Sequence, residues 1–100
     1  MSEKNKQMEV TKMHTYYPHD DSAINYFLVT NVESLSVIKN EVKNYGVDND
    51  IPTIFDDYYR PMQHSAYDCT GQWFSSGCKL IGYDDNYSTA IVALFYSCDV

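Results

Sequence analysis

His64 and Cys69 are the residues of this 100-residue chain best suited to covalent chemistry, since a thiol brought beside an imidazole by the fold can serve as a nucleophile. His14 and His19 are further candidate bases. His64 together with Cys69, Cys78 and Cys98 also offers nitrogen and sulfur for zinc. Structural zinc sites use close C-x-x-C knuckles that fix two ligands on one turn, whereas four, eight and nineteen residues intervene here. Three cysteines cannot all pair within one chain, and the expectation is reduced thiols packed as small hydrophobes among Trp73, Phe74 and Leu80, with a single disulfide as the alternative.

Carboxylates are the more abundant resource. Aspartate doublets occur in Tyr16-Tyr17-Pro18-His19-Asp20-Asp21, in Asp56-Asp57-Tyr58-Tyr59 and in Tyr83-Asp84-Asp85-Asn86-Tyr87. Acid and base catalysis by a carboxylate pair needs one member in an apolar pocket that raises its pKa, and these doublets fall in turn-like, wet segments. A calcium loop starting at Asp48 would need glycine where Thr53 stands and glutamate where Tyr59 stands. The four glycines form neither a dinucleotide nor a phosphate-loop fingerprint, and Ser75 lacks the two-glycine elbow of a nucleophilic serine. No cofactor, no metal and no enzymatic activity are expected.

What the doublets suit is binding. Residues 44 to 100 hold eight acids against two bases, Arg60 and Lys79, within a net charge of −7 for the whole chain. Scattered lysines and arginines make no basic stripe, so direct contact with nucleic acid or an anionic membrane is disfavoured and a basic protein surface is favoured. Duplex DNA is itself a dense array of negative charge, so a rigid acidic face could occupy a groove built for DNA. The expected contact residues are Asp48, Asp50, Asp56, Asp57, Tyr58 and Tyr59 in one segment and Tyr83, Asp84, Asp85 and Tyr87 in the other. Tyrosine supplies interface area, and arginine on the partner would pair with the carboxylates.

The elements that must position these residues can be read from periodicity. Residues 1–7 are polar and expected to be disordered; residues 8–100 form one domain. Met8 to Tyr17 alternates like an edge strand, Pro18 to Ser22 reads as a turn, and Ala23 to Thr30 reads as a buried strand. A helix follows, capped by Asn31, with Glu33 in its first turn, Gly46 at its stop, and Val32, Leu35, Ile38, Val42 and Tyr45 on its core side. Lys39, Glu41 and Lys43 would then face water. Asp50 is a candidate cap for a short helix from Pro52 to Tyr58. Phe74 to Tyr83 and Tyr87 to Cys98 form a C-terminal hairpin around Asp84-Asp85-Asn86, the second strand being apolar on both faces like a central strand covered by a helix. Tyr26, Tyr45 and Tyr96 are assigned to the core. The fold class is α+β: a mainly antiparallel sheet with one principal helix packed on a face. With no apolar leader or span in the sequence, a cytoplasmic protein is expected.

In size, acidity and lack of a catalytic motif, the chain resembles the small phage-encoded anti-defence proteins, including anti-CRISPR inhibitors. That resemblance covers size and composition and carries no site residue across. It implies a stoichiometric inhibitor acting in a host-cell cytoplasm, which blocks the nucleic-acid-binding surface of a basic protein. Two readings of other classes stand beside it. One is a small thiol- or metal-dependent enzyme using His64 and Cys69. The other is a self-associating protein that forms a homodimer through the strand Ala23 to Thr30 or the hairpin edge.

Overall fold

A computed structural model describes residues 7–19, 21–47, 50–59 and 72–99. Four strands, β1 (Glu9–His19), β2 (Ser22–Thr30), β3 (Gln72–Asp84) and β4 (Thr89–Asp99), form one antiparallel sheet in the order β1-β2-β4-β3. One helix, α1 (Leu35–Asn44), and a 3-10 turn at Asp56–Tyr58 complete the described elements. This is the α+β fold with a C-terminal hairpin that the sequence predicts.

The strict alternation in β2 produces the core. Ala23, Asn25, Phe27 and Val29 are buried on one face, opposite Tyr96, Leu94, Val92 and Ala90 of β4. Two features cover that face. The C-terminal end of α1 sits over β3, where the Tyr45 hydroxyl bonds Ser75 Oγ at 2.9 Å. The segment after the helix covers β2: the Tyr58 ring lies 4.8 Å and the fully buried Phe55 ring 6.4 Å from Phe27, centroid to centroid. Burying a phenylalanine stabilises by about 1.5–3 kcal/mol, so Phe55 anchors a segment with little secondary structure of its own.

Several boundaries differ from the sequence reading, each for a local reason. β1 runs on through Pro18 to His19, because a register shift between Tyr16 and His19 spares proline the ladder bond it cannot donate. Asn31 does not cap the helix. It takes a left-handed φ of 61°, turning the chain so that Val32 plugs the core with its N–H on the Ser88 carbonyl at 2.8 Å. Ser34 is the cap, its Oγ accepting from the Val37 N–H, so Glu33 precedes the helix and Leu35 is 39% exposed. The core side of α1 shrinks to Ile38 and Val42, with Tyr45 as C-cap, and Gly46 at φ 77° ends it as expected. Glu41 does not simply face water: its carboxylate accepts the Ile54 N–H at 2.8 Å. Tyr87 lies in the hairpin turn, which spans residues 85–88.

Tyr96 is in the core and Tyr45 packs against it, but Tyr26 projects from the opposite face of the sheet and is only half-buried. That second face has no described element upon it. β4 is interior in the sheet, yet only one of its faces is covered by α1 and the 53–58 segment.

Candidate binding surface

The short turn after α1 is braced by bonds between Thr53 and Asp56. Thr53 N–H and Oγ1 donate to the two carboxylate oxygens of Asp56 at 3.0 and 2.9 Å, and the Phe55 N–H donates to Thr53 Oγ1 at 3.2 Å. Thr53 and Asp56 thus hold the chain just ahead of the 3-10 turn, whose own cap position, Phe55, has no side-chain cap bond, and it is Thr53 rather than Asp50 that fixes this segment. Asp56 and Asp57 are left exposed, beside Asp50 and a Tyr59 that is 57% exposed.

At the other end of α1 the hairpin turn carries the second group. Asp84 Oδ1 accepts the Asn86 N–H at 2.9 Å, an aspartate turn that fixes the chain reversal, and Ser88 adopts φ 54° to re-enter β4. Asp85 is exposed, and Tyr87 is 77% exposed. Tyr83 and Asp85 line an open recess with Glu33, Ser34 and Leu35, where the positive end of the helix dipole favours the gathered carboxylates.

The expected contact residues therefore form two lobes flanking α1. The Glu41–Ile54 bond marks the first and the Ser34 cap the second, a separation of about 10 Å along the helix at 1.5 Å per residue. Exposed Lys39 lies on the helix between these two markers and exposed Lys43 just beyond Glu41, so the acidic surface is interrupted. Tyr58 and Tyr83 differ from the rest of the set: both are half-buried and pack against the core. Asp48 lies outside the described residues. Glu41 falls on the water side of the helix pattern and carries no signal of its bond to Ile54, whereas the T-x-x-D spacing from Thr53 to Asp56 is legible in the chain.

Cys98 corrects the expectation of reduced thiols. It is disulfide-bonded, while Cys78 is a free thiol whose pKa burial pushes up to about 12. A thiol held that firmly in its protonated form is a poor nucleophile. His64 and Cys69, the pair for a thiol or metal enzyme, lie outside the described residues. Among the described residues no three His, Cys, Asp or Glu side chains gather as a metal-holding group, and no helix is long and apolar enough to cross a membrane. No family model matches this chain, and neither a curated protein nor a solved structure is significantly similar to it.

Proposed function

We propose that this chain is a non-enzymatic binding module that engages a basic protein surface through its two acidic lobes. The observation that carries the reading is the pairing of exposed carboxylates with exposed tyrosines on braced turns: Asp56, Asp57 and Tyr59 behind Thr53, and Asp84, Asp85 and Tyr87 in the hairpin turn. Pre-organised charges lose little freedom on binding, and tyrosine adds contact area at low entropic cost. Arginines on the partner would take the carboxylates in bidentate pairs.

The finer reading is a stoichiometric inhibitor of the anti-CRISPR or other anti-defence type, a partial mimic of DNA that competes for a nucleic-acid-binding surface. The net charge of −7 and the exposure of Asp56, Asp57, Asp84 and Asp85 support it, since DNA is itself a dense array of negative charge. Action in a host-cell cytoplasm belongs to this reading, and there the Cys98 disulfide would be open to reduction.

The test is retention of partners from a cell lysate at low salt, repeated at high salt and with competing duplex DNA. A basic, nucleic-acid-handling complex should be retained and then released by either addition. Replacing Asp56, Asp57, Asp84 and Asp85 by lysine should abolish retention. A folded variant that still binds with unchanged salt dependence would overturn the proposal.

A further inference from the structure

The sheet has a second apolar face, on the side opposite α1 and the 53–58 segment. Cross-strand register sets its centre: Ile24 pairs Phe95, Tyr26 pairs Ala93 and Leu28 pairs Ile91. None of Ile24, Tyr26, Leu28, Ile91 and Phe95 joins the core or packs against it, and all five are only half-buried. The outer strands extend the same rows, with Tyr16 beside Ile24 and Gly77 beside Phe95. Phe74, at 47% exposed, stands at one rim.

An apolar sheet face needs a covering layer, because exposed apolar area of this kind stays in contact with water at a cost proportional to its size. We infer that this face packs against the same face of a second copy, making a two-sheet sandwich across a two-fold axis. A sheet supplies such a self-complementary surface naturally, since two facing sheets interdigitate their side chains about 10 Å apart.

Area supports the assignment. Four strands about 4.8 Å apart and about 30 Å long give a projected face on the order of 600 Å². The accessible surface of a corrugated side-chain layer exceeds its projection, which brings it to the scale of the roughly 800 Å² per partner that a stable complex buries. Charge points the same way. The central rows carry one cation, Lys79, opposite Ala93, and one histidine, His14, opposite Tyr26. The −7 of the chain therefore does not concentrate where the copies would meet. Carboxylates reach this face at its ends, Glu9 opposite Thr30 and Asp84 opposite Thr89, and leave its apolar centre without an acid for a basic partner to pair.

The sheet edges argue against the other mode of self-association. Both outer strands are irregular: β1 shifts register between Lys12 and His14, and β3 does so between Ser75 and Gly77 and again between Leu80 and Gly82. Bulges twist an edge and interrupt its row of free backbone groups, which is how proteins keep edges from pairing.

The test is solution mass by light scattering from low to high micromolar protein, at low and high salt. Twice the monomer mass, unchanged by salt, is expected. Leu28→Lys would bury two uncompensated ammonium groups at the centre of the interface and should weaken dimerisation by about a hundredfold or more. Phe74→Lys, at an exposed rim that monomer folding does not need, should weaken it less while leaving the circular dichroism spectrum unchanged. A wild-type monomer at every concentration would overturn the inference, including the case in which other residues of the same chain cover the face. So would a dimer that both variants retain, or one that dissociates in high salt.

Discussion

The Tyr96 hydroxyl donates a 2.6 Å hydrogen bond to the main-chain carbonyl of Tyr58 and thereby ties the turn bearing Asp56 and Asp57 to the central strand β4. The same hydroxyl accepts from Asn25 Nδ2 at 3.5 Å, and Asn25 Oδ1 accepts from Thr15 Oγ1 at 2.8 Å. A polar chain thus runs from β1 through the fully buried Asn25 and β4 to the loop. Each buried polar group in it is satisfied by the next, so the whole chain orders the candidate surface from below.

Tyr96→Phe keeps the ring and removes the hydroxyl, leaving the Tyr58 carbonyl and Asn25 without that partner. A loss of about 1–3 kcal/mol is expected. Urea denaturation checks it: the midpoint should fall with the slope unchanged, and amide exchange should quicken around residues 53–58. An unchanged midpoint would mean that water replaces the hydroxyl at no cost.

Alkaline pH should loosen the same region. Burial raises the pKa of Tyr96 above its ordinary value of 10.0, against the lowering effect of its bond to Asn25, and burial likewise raises Cys78 from 9.0 to about 12. Burial also raises Tyr45, opposed by its bond to Ser75. The sign follows from proton binding, because above the ordinary value the unfolded chain has released protons that the native state still holds. These groups therefore contribute fully below about pH 9 and their contribution falls as pH climbs, Cys78 first and the tyrosines from pH 10.0 upward. Thermal melts from pH 8 to 11 should show a falling midpoint that Cys78→Ala makes shallower at the start of that range.

Gly46 and Gly82 should respond differently to alanine, although neither site has a neighbour within 4 Å of an added Cβ. Gly46 takes φ 77°, so an L side chain there is strained by backbone conformation alone, at a cost of about 1–2 kcal/mol. Gly82 carries no such conformation. Its replacement should be close to neutral, and denaturation of the two variants side by side reads the difference.

The amphipathic patterns that specify strands and a helix were legible because burial repeats along them, as in β2, where every second residue is buried. The Gly46 stop and the turn at Asp84 were legible from residue chemistry. The helix start was not: Asn31 and Glu33 read as starting signals, and only the Val32 plug, held by the distant Ser88 carbonyl, moves the start on to Ser34. Tyr26 was assigned to the core because Ala23 to Thr30 is apolar on both faces, and sequence alone does not say which of two apolar faces the helix covers. Tyr58 looked like a surface residue within an acidic run; the adjacent Phe55 anchor and the Tyr96 hydroxyl turn it inward.

Reduction should destabilise the protein through Cys98, which is buried at the far end of β4 opposite Trp73. Losing a disulfide from a small domain costs about 2–5 kcal/mol. Melts with and without a reductant should separate accordingly, and Cys98→Ala should melt like the reduced protein and ignore the reductant. Equal melts would mean that the thiol is free in solution.

Thr53→Ala separates the shape of the acidic surface from its charge. The substitution removes the hydroxyl that donates to Asp56 and accepts from Phe55, while every carboxylate remains in place. Loss of a side-chain brace of this kind costs about 0.5–2 kcal/mol, and the turn should fray locally because Phe55 still anchors it to the core. Amide exchange at Phe55 and Asp56 should rise while β2 and β4 stay protected. If fixed geometry at Asp56 and Asp57 matters to a basic partner, Thr53→Ala should weaken binding several-fold with the salt dependence unchanged, whereas Asp57→Lys should alter that dependence as well. Equal affinity for Thr53→Ala and the wild-type chain would mean that charge, and not the braced turn, carries recognition.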